Sequence, residues 1–238
     1  VVNSDCLDFC LNQSFKLTEY KSSTKYYVKS YATNGINTSY GNQVEFVADY
    51  SEIIIGSQVW AIENLNTSTY RNGDTIPQVT DQTDWDNLTT GAWCWYSNSS
   101  ANGITYGKLY NWYAVNDLRG LAPVGWHIPT LSEFQTLTTF LGGTTVAGGK
   151  MKSTGDVTVG DGLWTSPNTG ATNSSNFTAL PAGIRIGSFS SIESIARFWT
   201  SIESGSNANF LELNNYNDDV VYTTSLKRYG YSVRLIKD

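Results

Sequence analysis

Three features of the sequence predict an α+β fold. Apolar and polar residues alternate with a period of two in several short runs, one amphipathic segment has helical spacing, and Gly-, Asn- and Ser-rich stretches separate them. With 8 Trp, 15 Tyr, 21 Gly and only 15% charged residues, the chain has the profile of a loop-rich protein with an aromatic core, not of a helical bundle or a disordered tail. Its 238 residues suffice for one large or two modest domains and a sizeable core.

The first element is a hairpin within residues 16–48. Tyr27, Lys29 and Tyr31 fall on one face and Tyr26, Val28 and Ser30 on the other, Asn34-Gly35 supplies the turn, and residues 43–47 form the second strand. The run resembles the last strands of a fibronectin type III-like or immunoglobulin-like sandwich, with Leu17 and Tyr26 at the corner positions. Such a sandwich has about seven strands, so residues 1–50 are expected to be a partial one, completed upstream in a longer polypeptide or by a neighbouring chain. A hairpin packed on the main domain is the alternative.

A boundary at Tyr50-Ser51-Glu52 opens the second block, residues 51–238. Strands are expected at 53–55 and 58–64, a turn at Arg71-Asn72-Gly73-Asp74, a polar loop at 77–87, a strand at 92–96 and a short helix at 110–115. The aromatic-dense stretch 107–137 organises the block. Within it Thr130 and Glu133 form a capping box, which starts a helix over 131–141. Leu131, Phe134, Leu137 and Leu141 form its apolar stripe, and Gly142-Gly143 stops it. Residues 153–176 form a long irregular region around Trp164, and strands at 179–186, 197–201, 210–213, 220–223 and 231–236 complete the sheet.

The motifs GSQVWAIENLNTSTYRNGDTIP, TTGAWCWYSN, YGKLYNWYAV, LAPVGWHIPT, ALPAGIR, ARFWTS and YGYSVRLIKD follow one another across 51–238. In order and spacing they resemble the Fibrobacter succinogenes major paralogous domain, an extracellular module of Bacteroidetes and Fibrobacteres. The resemblance implies a C-type lectin-like fold for this block and a secreted or cell-surface location. The chain departs from the family at Leu235, where a Cys often stands, so a disulfide through that position cannot form.

A net charge of −6 without any Lys/Arg cluster argues against a nucleic-acid partner. No run approaches the ~20 apolar residues of a membrane span, and the opening VVNSDCLDFC lacks the layout of a signal peptide. Cys6, Cys10 and Cys94 are too few for a disulfide scaffold. Either Cys6 and Cys10 pair in an oxidising compartment, leaving Cys94 a buried thiol, or all three are unpaired small hydrophobes.

The first candidate site gathers Asn207, Asn209, Asn214, Asn215, Asn217, Asp218 and Asp219 near the last strands. Their amides and carboxylates can bond paired sugar hydroxyls, while Trp199, Tyr216, Tyr222 and Tyr229 offer flat faces for a ring. In C-type lectins this part of the fold carries the ligand surface, which the resemblance extends to these positions. The same oxygens are hard ligands for calcium, here Asp218 and Asp219. A plain polar turn is the competing reading, and a diversified variable tail is a further one. The second candidate is Asp81, Asp84, Asp86 and Asn87, whose spacing could hold calcium but lacks the glycine and final glutamate of an EF-hand loop. A solvated acidic loop competes with it.

His127 in GWHIP has no recognisable nucleophile partner and reads as a hydrogen-bonded core residue. Formylglycine-generating enzymes share the broader lectin-like fold but use cysteines late in the domain, and here none follows Cys94. The expectation is a non-enzymatic module of the cell or virion surface, an adhesin or receptor-recognition domain binding glycan or protein, with calcium as its candidate cofactor. The alternative is a structural subunit that decorates or builds an extracellular filament by pairing its N-terminal strands with further copies of itself.

Overall fold

The computed structural model describes residues 25–33, 36–47 and 50–238, and the chain divides into two compact units, Val1–Asp49 and Tyr50–Asp238. In the first, β1 (Lys25–Thr33) and β2 (Thr38–Val47) pair antiparallel from Lys25↔Val47 to Thr33↔Thr38, with an irregularity between Lys29 and Tyr31. The second strand begins five residues before the expected one. Side chains of both faces are exposed, among them Tyr27, Val28, Tyr40 and Val44. Cys6, Cys10, Leu17, the Asn34-Gly35 turn and the side chain of Tyr26 lie outside the described residues.

The second unit is an α+β fold of short helices and several small antiparallel sheets. β3 (Glu52–Ile55) and β4 (Gln58–Ala61) form a hairpin. After it come α1 (Gln82–Asp86), β5 (Trp93–Cys94), α2 (Ser100–Tyr106), β6 (Leu109–Tyr110), α3 (Trp112–Val115) and β7 (Trp126–His127). α4 (Leu131–Phe140) and α5 (Ala147–Met151) lead into the irregular 153–176 region. The chain closes through β8 (Ala182–Arg185), β9 (Phe189–Ile192), β10 (Ile195–Ser204), β11 (Asn207–Asn214), β12 (Val221–Leu226) and β13 (Ile236–Lys237).

The expected closing strands do not build one sheet. They are divided among a four-stranded sheet of order β3-β4-β13-β7, a three-stranded sheet β10-β11-β12, and the pair β8-β9, while β5-β6 forms another pair. Residues 231–235 make only isolated bridges, through Tyr231 and Ser232, before β13 begins. The polar loop 77–87 contains α1, because the Asp81 carboxylate accepts the Asp84 amide and caps a helical turn.

The capping box of α4 is present in full: Thr130 Oγ1 accepts the Glu133 amide, and the Glu133 carboxylate accepts the Thr130 amide at 2.7 Å. Gly142 and Gly143, both at positive φ, end it. Its buried side, Phe134, Leu137 and Thr138, faces one half of the core.

That core lies on both sides of β10 and β11. Successive residues of a strand point to opposite faces, so Phe198 packs with Trp60, Phe134, Trp164 and Phe177, while Trp199 packs with Tyr110, Trp112, Phe210 and Tyr231. A third cluster surrounds Trp85, Cys94 and Tyr106. Full burial of each large apolar side chain contributes about 1.5–3 kcal/mol.

Buried cations tie the loops to this core. Arg185 stacks on Trp85 and donates to the carbonyls of Val79, Thr80 and Asp81 at 2.7, 3.0 and 2.9 Å. Arg234, stacked on Phe177, donates to the carbonyls of Ala61, Ile62, Phe177 and Thr178 and to Asn64 Oδ1. Burial lowers its pKa to about 9, so it remains charged at neutral pH.

Candidate functional site

The expected site residues fall into two groups at opposite ends of β11. Asn207 and Asn214 are its first and last residues, roughly 23 Å apart at the rise of an extended strand. They cannot belong to one small ligand site. At the Asn207 end, Asn207 Nδ2 reaches Thr224 Oγ1 at 3.5 Å, Asn209 Nδ2 donates to the Ile202 carbonyl at 3.2 Å, and Tyr229 packs half-buried beside the core.

Trp199 offers no face to a ligand. It is 0% exposed, its ring lies 4.4 Å from that of Tyr231, and its indole N–H donates to the Tyr110 carbonyl. Tyr222 is half-buried, with its hydroxyl donating to the Phe134 carbonyl at 2.9 Å and paired with Thr138 Oγ1; burial pushes its pKa up to about 12.

The other end, the connection from β11 to β12, is a hydrogen-bonded turn. Asn214 is buried, and its Oδ1 accepts the amides of Tyr216 and Asn217. Asn217 Oδ1 accepts the Asp219 amide, so Asn214 and Asn217 shape the backbone in the way Asx turns do. Asn215 Nδ2 donates to the carbonyls of Thr165 and Ser166 at 3.2 and 3.1 Å. Tyr216 stands out, 65% exposed. The turn thus presents one aromatic ring on a fixed polar backbone, beside the irregular 165–172 segment.

The acidic residues read as calcium ligands lie at α1 and on the connection between β11 and β12. Asp81 Oδ1 accepts the Asp84 amide at the cap of α1, and Asp86 Oδ1 accepts Gln82 Nε2. The Asp218 side chain lies against Gly149 and Gly170. Among the described residues no group of three or more His, Cys, Asp or Glu side chains is placed to hold a metal.

His127 is not a core residue. Its side chain is partly exposed, with Nε2 at 2.8 Å from Glu133 Oε1 and Nδ1 at 2.8 Å from Asp238 Oδ1, beside a shallow groove lined by Arg71, Leu121, Thr130 and Ser201. Partial burial works to lower its pKa, and the hydrogen bonds and charges of Glu133 and Asp238 outweigh it, so the net shift is upward. Glu133 moves the other way: burial opposes, but the Thr130 amide and His127 carry its pKa below the usual carboxylate value. Cys94 is a free buried thiol, pushed up to about 11 by burial. Such a thiol is a poor nucleophile.

The buried cations were not anticipated. Their signal is a lone basic residue inside an otherwise apolar strand, as in Ala-Gly-Ile-Arg185 and Ser-Val-Arg234-Leu-Ile, where burial forces the guanidinium to find carbonyl acceptors.

Fold and site together define an α+β domain of many short sheets, built on a two-sided aromatic core, with a rigid polar turn at its surface. The chain belongs to the Fibrobacter succinogenes major domain family, whose model matches residues 53–237. No curated protein and no solved structure matches it. Among the described residues no helix is long and apolar enough to cross a membrane.

Proposed function

We propose that the second unit is a non-enzymatic recognition module, acting at the cell surface or after secretion, that contacts a glycan or protein through the turn between β11 and β12. The observation that carries this reading is Tyr216, an exposed ring on a backbone held by Asn214, Asn215 and Asn217. A rigid aromatic with two side-chain torsions provides contact area at low entropic cost. The C-type lectin-like reading of the fold rests on the family resemblance and accords with an α+β domain in which early β4 pairs with late β13.

The test is capture of arrayed glycans and surface proteins by the purified chain and by its Tyr216→Ala variant. Tyr216 is mostly exposed, so the variant should keep the wild-type melting temperature and lose at least about tenfold in affinity. Equal capture by both sinks the assignment.

A second reading, a filament subunit assembled through its N-terminal strands, is favoured by the exposure of side chains on both faces of β1 and β2. Light scattering decides it: concentration-dependent assembly, abolished by Val28→Lys with Val44→Lys, is its expected result, and a monomer at every concentration removes it.

A further inference from the structure

Lys152 follows α5 and lies beneath the turn. Its side chain is fully buried, and its ammonium donates to three main-chain carbonyls: Thr169 at 2.8 Å, Asn214 at 2.9 Å and Asn217 at 2.8 Å. Every N–H of the ammonium is thereby used. The oxygens come from two separate segments, the irregular region and the β11–β12 connection. A ring of carbonyl oxygens with the Asp218 carboxylate close by is the donor set that suits a hard cation. Here the chain supplies that cation itself.

Approach of α5 depends on two glycines. A Cβ on Gly148 would lie 2.5 Å from the Asp219 carbonyl oxygen, and one on Gly149 only 2.3 Å from that of Gly170. Their absence lets the Gly149 amide donate to Asp218 O and the Thr172 amide to Gly149 O. The Thr169 amide completes the seam by donating to Asn215 O at 2.8 Å.

We infer that Lys152 is the resident cation of this surface: its ammonium positions the Asn214–Asp219 turn and the 165–172 segment, and occupies oxygens that a calcium ion would need. The positioning of a ligand surface rests on the recognition proposed above; the cation role does not. Asp218, on the turn, is the charged group that acts on Lys152. Burial lowers the ammonium pKa to about 8 against the opposing pull of Asp218.

Hydrogen exchange read by mass spectrometry, in calcium and in chelator, tests this on the full chain and on Lys152→Met. Wild-type segments 165–172 and 212–219 are expected to exchange identically in both conditions. In Lys152→Met the same segments exchange about tenfold faster or more, while β3, β4 and β13 keep their protection. Calcium-dependent slowing in the wild type, or unchanged exchange in the variant, overturns the inference. Should Lys152→Met not fold, NMR of the wild type decides: the Lys152 Cε resonance and the amides of 214–219 should titrate together with a midpoint near 8, and turn amides that stay fixed while the ammonium titrates overturn it. A wild type that captures no ligand while Lys152→Met shows faster exchange refutes the recognition reading alone.

Discussion

Replacing Arg234 by Met keeps most of the side chain's apolar volume and removes every donor. Its Nη1 serves the carbonyls of Ala61, Ile62 and Phe177, and its Nη2 serves Asn64 Oδ1 and the Thr178 carbonyl. Two of the carbonyl bonds, to Ala61 and Phe177, and that to Asn64 are fully buried. Each buried acceptor left without a donor costs about 1–3 kcal/mol. Relief of the buried charge offsets part of this, since removing a desolvated guanidinium returns several kcal/mol. For three acceptors that is about 3–9 kcal/mol, and with an offset of about 3 kcal/mol the central value is a loss of about 3 kcal/mol, or roughly 6–12 °C in melting temperature for a domain of this size. Urea unfolding followed by Trp fluorescence measures it. Arg234→Lys should fall between, because an ammonium has three donors and no planar face to stack 4.5 Å above Phe177. An Arg234→Met variant within about 1 kcal/mol of wild type would show that these carbonyls find other partners and would refute the view that buried cations hold the loops.

Two further outcomes follow from the same geometry. His127, the one His in the sequence, should titrate above 6.5 by NMR, and Glu133→Gln or Asp238→Asn should each lower its midpoint. Because the folded pKa is raised, the stabilisation from this pair is fully present below pH 6.5 and is lost as pH rises through the folded value. In a Cys6→Ser, Cys10→Ser background, Cys94 should react with a thiol reagent only at the rate of unfolding, and rapid labelling in the native state would contradict its burial.

The sequence made α4 legible because a capping box, an apolar stripe and a Gly-Gly stop all act within a dozen residues. The β1–β2 hairpin showed through its alternation for the same reason. Trp199 was misplaced because the run Arg197-Phe-Trp-Thr200 does not alternate; adjacent large apolar residues signal a strand covered on both faces. The Asn-rich turn was visible as a turn, yet which of its side chains fold inward depends on Lys152 and on residues 165–172, some fifty positions away. α1 and α2 escaped notice because polar, Gly-containing segments carry little periodicity, and only tertiary packing of Trp85 and Tyr106 fixes them.

Photo-crosslinking from single positions tests recognition through the turn that carries Tyr216. A photoreactive phenylalanine placed at Tyr216, at Ile202 on β10 beside the Asn207 end of β11, or at Tyr40 in the hairpin is exposed to cell-surface extract and irradiated. Adducts to a surface glycoconjugate or protein are expected from position 216 and none from position 202. Adducts from position 40 to another copy of the chain, with position 216 silent, would contradict recognition through the turn and leave the filament reading in its place.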